Sequence, residues 1–158
     1  MTRPSLGPAA KAGRILVVED SPSARRLMQE VLLRLGAELP NLRVAGSVVE
    51  ALTLFTQWRP KVAFLDIELR APPTETPPAE SASPGPSTPK DGAELALLIL
   101  SRDPSVKVVL CSASDPSNPR VAQLVKEKKA EFIMKPLIAA RVEEVLARIV
   151  PPGPGRSS

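Results

Sequence analysis

Ile15-Leu16-Val17-Val18-Glu19-Asp20 sets how the rest of the chain is read: an unbroken apolar run that stops at two carboxylates. It is short and rich in β-branched residues, which predicts a strand buried on both faces, as in parallel sheets covered by helices. The same construction recurs. Val62-Ala63-Phe64-Leu65 runs into Asp66, Val106 to Cys111 leads to Ser112-Ala113, and Glu131-Phe132-Ile133-Met134 leads to Lys135-Pro136. Asp91-Gly92 opens the helix-like stretch that follows the Asp66 strand. In open α/β sheets the carboxyl ends of the strands form the ligand crevice. An acidic pair, a lone Asp, a hydroxyl and a Lys are therefore expected to converge at one edge.

Between these strands the apolar spacing is helical. Leu27, Met28, Val31, Leu32 and Leu35 share one face of a stretch that Ser21 or Ser23 can cap, Pro22 suits as a first turn and Gly36 can stop. Leu42 to Ala45 predicts a shorter strand, and about Val48 to Gln57 a helix ending before Pro60. Further helices are expected from Asp91 or Gly92 to Ser101, from about Asn118 to Lys129, and from Ile138 to Ile149. The fold class that follows is α/β: a doubly wound five-stranded parallel sheet with helices on both faces.

Composition narrows the function. With 158 residues and 43% apolar content the chain has room for one domain with a proper core. Its single cysteine, Cys111, excludes a disulfide framework and a thiol-only metal cage, and reads as a buried small hydrophobe. No apolar stretch approaches membrane-spanning length, and Met1 to Gly13 lacks the apolar centre of a secretory signal, so a cytoplasmic protein without membrane association is expected. The net charge of +4 raises the question of nucleic acid. Of the four aromatics, Phe55, Trp58, Phe64 and Phe132, all but Trp58 lie in apolar patterns, leaving no stacking platform, and Lys126-Glu127-Lys128-Lys129 reads as a solvated helix face. No nucleic-acid binding by the chain itself is expected.

The organisation reads as a disordered tail at 1–13, a domain at 14–150, and a tail or linker start at 151–158 marked by Pro151-Pro152-Gly153-Pro154-Gly155. Inside the domain, Ala71 to Lys90 is 20 residues with seven prolines and no large apolar side chain. Such a segment cannot bury enough surface to offset its ordering entropy, which predicts a disordered insertion.

The strand-end residues suit phosphoryl chemistry. Asp66 can attack a phosphoryl group to give an acyl phosphate. Glu19 and Asp20 add negative charge beside it, and three carboxylates at one edge call for a cation. Mg²⁺, a hard ion that pairs one or two carboxylates with phosphate, is the natural choice. Taken alone, Glu19-Asp20 reads equally well as an acidic pair at a helix N-terminus. The Ser112 hydroxyl can donate to one phosphoryl oxygen and the Lys135 ammonium can neutralise another.

Glu19-Asp20, Asp66, Ser112-Ala113 and Lys135-Pro136, in that order and each after a strand, resemble the receiver domain of two-component response regulators, over roughly Arg14 to Val150. The resemblance implies the flavodoxin-like receiver fold and Asp66 as phosphoacceptor. It implies a Mg²⁺ held directly by Asp20 and Asp66, by Glu19 through water, and by the backbone carbonyl of Glu68. It also implies Ser112 and Phe132 as switch residues, a Lys135-Pro136 bond of the cis kind, and no enzymatic activity beyond the protein's own aspartyl phosphorylation and dephosphorylation. The resemblance further implies a histidine kinase or a His-containing phosphotransfer protein as phosphodonor, and the donor histidine must belong to that other protein because this chain contains none. The downstream protein target is expected on the face made by the fourth helix, the last strand and the last helix. Two features depart from the family pattern: Leu69-Arg70 stand where a Met-Pro pair is usual, and Glu68 is acidic. Glu68 and Ser114 occupy the variable positions that tune phosphate lifetime in receivers.

Two other readings compete. One is a receiver-like docking module that works without phosphorylation. The other is a haloacid-dehalogenase-like phosphatase, which also uses Asp, Ser or Thr, and Lys at strand ends; those enzymes need a second Asp two residues after the nucleophile, where this chain has Glu68.

The insertion yields a direct prediction. Loop closure costs only about 0.6 kcal/mol per doubling of length. Replacing Ala71–Lys90 by a few Gly and Ser should therefore leave the calorimetric unfolding temperature nearly unchanged. Loss of the cooperative transition would show that the segment packs into the core.

Overall fold

A computed structural model describes residues 12–69, 91–113, 119–135 and 137–149. The insertion 71–90, the tail 151–158, Ser114, Asn118 and Pro136 lie outside the described residues, as does most of the expected tail 1–13. The last part of that tail is corrected: Ala12 is buried and packs with Ile15 and Val62, so the packed chain already includes it.

Five strands form one parallel sheet: β1 (Ile15–Val18), β2 (Leu42–Ala45), β3 (Val62–Asp66), β4 (Lys107–Ser112) and β5 (Ala130–Met134). Their spatial order is β2-β1-β3-β4-β5, so the chain moves outward in one direction from β1 and then in the other from β3. Every residue of β1 and β3 is buried, as expected of central strands covered on both faces, whereas the edge strands β2 and β5 are only partly so. Among the described residues five α-helices complete the wound fold: α1 (Pro22–Arg34), α2 (Val48–Trp58), α3 (Gly92–Arg102), α4 (Pro119–Lys126) and α5 (Ala139–Ile149).

Alternation along each strand divides the core. Leu16, Val18, Ala63, Leu65, Val108 and Leu110 face α2, α3 and α4, meeting Phe55, Leu95, Ile99 and Leu124. Ile15, Val17, Val62, Phe64, Val109 and Cys111 face α1 and α5, meeting Met28, Leu32, Val142 and Leu146. The doubly wound five-stranded sheet expected from the sequence is the fold of the chain. Among the described residues no helix is long and apolar enough to cross a membrane.

Caps fix where the helices begin. Ser21 accepts from the Ala24 N–H, Ser47 from Glu50 and Asp91 from Glu94, so hydroxyl or carboxylate oxygens satisfy donors that have no helical partner. α4 ends three residues before the expected Lys129. Lys128 takes a left-handed conformation (φ 61°), while its N–H bonds to the Val125 carbonyl and that of Lys129 to the Leu124 carbonyl. This pair of bonds closes a helix C-terminus.

The chain on the two sides of the insertion meets at the site edge. Leu69 is buried and its N–H bonds to the Asp66 carbonyl, while the Gly92 N–H bonds to the Ile67 carbonyl at 3.3 Å. Glycine is required at position 92 by space: a Cβ there would run into the Asp66 carbonyl and the Ile67 backbone. Gly92→Ala should therefore destabilise the fold by about 1–3 kcal/mol, in the range of overpacked cores. The denaturant midpoint measures it, and an unchanged midpoint would show that α3 can move off β3 freely.

Candidate functional site

Parallel register sets the strand ends side by side: Val18 beside Leu65, Asp66 beside Cys111, Ser112 beside Met134. Main-chain bonds carry the order one residue further. Glu19 N–H bonds to the Ala45 carbonyl at 3.0 Å, Ile67 N–H to that of Cys111 at 2.8 Å, and Lys135 N–H to that of Ser112 at 2.7 Å. The backbone thus fixes the residues that bear the polar groups before any side chain is considered.

Lys135 joins the acidic residues. Its Nζ lies 2.8 Å from Glu19 Oε1 and 3.2 Å from Asp66 Oδ1, and both carboxylates are buried (7% and 4% exposed). Burial drives the Glu19 carboxyl above its usual range; the Lys135 hydrogen bond works against this and the neighbouring Asp66 charge adds to it. For Lys135, burial acts to lower the pKa, but its contacts with Glu19 and Asp66 outweigh it and hold the ammonium above its ordinary value. The two contacts thus favour the charged ammonium, while burial works against the charged Glu19 carboxylate.

Asp20 is exposed at the rim. Glu19, Asp20 and Asp66 each present a carboxylate oxygen, and these atoms lie within 4.8 Å of one another. An all-oxygen, anionic donor set of this kind fits a hard divalent cation, so the group can hold a metal ion. Cys111, next to Ser112, has its thiol pushed up to about 12, chiefly by burial, and remains a protonated hydrophobe as expected.

The structure adds two contacts that the sequence did not suggest. Ser112 is buried, and its Oγ donates to Glu68 Oε2 at 2.9 Å. The Glu68 N–H in turn bonds Asp66 Oδ1 at 3.1 Å, so the residue expected to contribute a backbone carbonyl also contributes its side chain. The signal lay in the Asp66-Ile67-Glu68 spacing, since an Asp oxygen bonding the N–H two residues on is a common turn. The second contact is from α1: Arg25 Nη1 donates to the Glu19 carbonyl at 3.0 Å, pinning the loop that carries the acidic pair. Glu19 Oε2 also accepts from the Ser21 N–H, which joins that loop to the helix cap. Phe132 stands apart from the carboxylates. It is half-buried within β5, opposite Leu110, and packs against the core on the α2–α4 face.

No family model matches the chain. The chemotaxis protein CheY of Listeria monocytogenes is 26% identical over 135 residues, covering 85% of this chain and 96% of that protein. The solved receiver domain of NtrX from Brucella abortus is 27% identical, with a TM-score of 0.62, over 86% of this chain and 97% of that one. The chain corresponds to only 27% of the longer NtrX chain, which it matches at 28% identity and a TM-score of 0.64 over 88% of its own length. A CheY-like receiver from Methanospirillum hungatei, 19% identical with a TM-score of 0.63 over 92% of this chain and 97% of its own, supports the fold alone. Five parallel strands in this order, an acidic cluster where the sheet's central strands end, and similarity to relatives of the CheY and NtrX type agree, and together they support a receiver domain of the two-component response-regulator kind.

Proposed function

We propose that Asp66 is the residue that takes the phosphoryl group. The observation that carries this reading is the buried Asp66 carboxylate at the end of a central strand, with Lys135 at 3.2 Å from its Oδ1 and the acidic pair beside it. Because Oδ1 already accepts from both Lys135 and the Glu68 N–H, Oδ2 is the oxygen assigned to attack. A new bond forms between that oxygen and phosphorus while the bond from phosphorus to the donor breaks. With a phosphohistidine donor the imidazole leaves and picks up a proton; with acetyl phosphate, acetate leaves. The product is an aspartyl phosphate.

The assigned cation is Mg²⁺, held by Glu19, Asp20, Asp66 and the Glu68 carbonyl; when bound it supplies positive charge that offsets the carboxylates and the phosphoryl oxygens. The chain's own part is positional. Arg25 and the Ala45 carbonyl hold the Glu19 loop, Lys135 neutralises charge beside the acceptor, and the Ser112 hydroxyl is the donor assigned to a phosphoryl oxygen. Receiver domains are generally signalling modules, and the only chemistry assigned to the chain is its own modification at Asp66.

The donor is assigned to a histidine kinase or a His-containing phosphotransfer protein. Downstream contact is assigned to the α4-β5-α5 face, where Val125, Met134 and Ile138 are exposed apolar residues (36%, 42% and 60%). Such residues can anchor a protein partner. Phe132 lies on β5 within the same face and is the assigned aromatic switch residue. Movement of Ser112 toward a phosphoryl group would act on it through the Ser112–Lys135 main-chain bond.

Asp66 should become labelled by radioactive acetyl phosphate in the presence of Mg²⁺ and not after chelation, and Asp66→Asn should lose the label. Stoichiometric labelling of Asp66→Asn would overturn the assignment. Ser112→Ala should still label, about ten- to a thousandfold more slowly if the hydroxyl stabilises the transition state as oxyanion donors do. Partner binding by the labelled Ser112→Ala protein, followed by calorimetry or pull-down with the cognate kinase's target, should lose its dependence on phosphate. Parent protein that binds its partner equally with and without phosphate would instead support the docking-module reading.

A further inference from the structure

We propose that the Glu68 carboxylate is a built-in stand-in for the phosphoryl group: it holds the Ser112 hydroxyl until a phosphoryl oxygen displaces it. The proposal rests on the reading of Asp66 as acceptor, and it adds a residue that governs how readily the site accepts its charge.

The geometry is specific. A serine hydroxyl has a single proton to donate, and in this structure it goes to Glu68 Oε2 at 2.9 Å. The partners are far apart in sequence, brought together because β3 pairs with β4 and both strands end at the same height. The turn that carries Glu68 is fixed on both sides: its N–H bonds Asp66 Oδ1, and the next residue, Leu69, is buried with its N–H on the Asp66 carbonyl. Glu68 is thus anchored at its backbone while the residue as a whole is exposed, so its carboxylate can leave Ser112 for water without breaking the core. A carboxylate and a phosphoryl group offer the same kind of charged oxygen to a hydroxyl donor. The two therefore compete for one proton.

Glu68 acts through Ser112 and is a positioning residue. In the unmodified protein it keeps the hydroxyl engaged. On phosphorylation the hydroxyl must exchange Glu68 for the phosphoryl oxygen. Two effects of Glu68 oppose phosphorylation, its charge and its hold on Ser112, and they can be separated. Glu68→Gln removes the charge but keeps an acceptor oxygen. Glu68→Ala removes both.

The test uses the full chain and four variants: Glu68→Gln, Glu68→Ala, Ser112→Ala and the double Glu68→Ala/Ser112→Ala, with Glu68→Gln/Ser112→Ala as a control. Without any phosphodonor, denaturant unfolding of the Glu68→Ala and Ser112→Ala cycle should show a coupling of about three- to tenfold in the unfolding equilibrium constant. With acetyl phosphate and Mg²⁺, Glu68→Ala should label about three- to tenfold faster than Glu68→Gln, a difference set by coupling of this size. In the Ser112→Ala background that difference should vanish. Equal rates for Glu68→Ala and Glu68→Gln would overturn the proposal in favour of charge repulsion alone. Absence of coupling in the unfolding cycle would overturn it whatever the rates. If the cycle shows coupling but the parent protein takes no label, the receiver assignment of Asp66 fails and the displacement step falls with it, while the hydrogen bond stands.

Discussion

The Lys135 ammonium between Glu19 and Asp66 is the contact on which the arrangement of this molecule turns. It starts from the end of β5 and reaches past β4 to the residues at the ends of β3 and β1, so one side chain spans the top of the sheet. Two carboxylates with so little exposure repel each other and lack water, and the ammonium between them offsets both effects. Removing one member of a buried ion pair leaves the other charge uncompensated, a larger effect than losing a surface salt bridge. The surface pairs here, Arg120–Glu94 and Arg148–Glu131, are by contrast of the exposed kind that contributes little.

That contact depends on topology. A sheet that winds outward both ways from β1 and β3 opens a crevice where the strand order reverses. The hydrophobic layers on the two faces are complete without any of the site residues, so stability is supplied by the core and the edge is left to polar groups. This division lets four carboxylates, at positions 19, 20, 66 and 68, gather at one sheet edge, two of them on Lys135, one on Ser112 and one at the exposed rim.

The fold was legible because its central strands are buried on both faces. Continuous apolar runs as short as Ile15–Val18 and Val62–Leu65, bounded by polar residues, match a covered parallel sheet and are too brief for a buried helix. The site was legible to the same depth. A residue just after a buried strand must lie at the sheet edge, so Glu19, Asp20, Asp66, Ser112 and Lys135 could be gathered from chain order alone. Three features were not legible, each because it depends on local geometry that residue type leaves open. Position 68 looked like a backbone contributor, yet its carboxylate turns back to Ser112. Nothing in the sequence marks Arg25, yet its guanidinium reaches the Glu19 carbonyl. The end of α4 was set by a left-handed Lys128, a conformation that a lysine does not advertise.

The main-chain bond from the Lys135 N–H to the Ser112 carbonyl, at 2.7 Å, gives the site a way to be felt elsewhere. The hydroxyl donor and the ammonium are not independent groups facing one ligand; their backbones are joined, so a shift of the Ser112 segment is borne by the end of β5 as well. β5 is an edge strand, paired on one side only, and its residues 131, 132 and 134 are not fully buried. A displacement there meets less resistance than one in β1 or β3, where every residue is packed on both faces. The exposed apolar residues Met134 and Ile138 lie immediately before and just after Lys135 in the chain. A change at Asp66 therefore has a short and soft route outward through β5, toward exposed apolar residues at that strand's end.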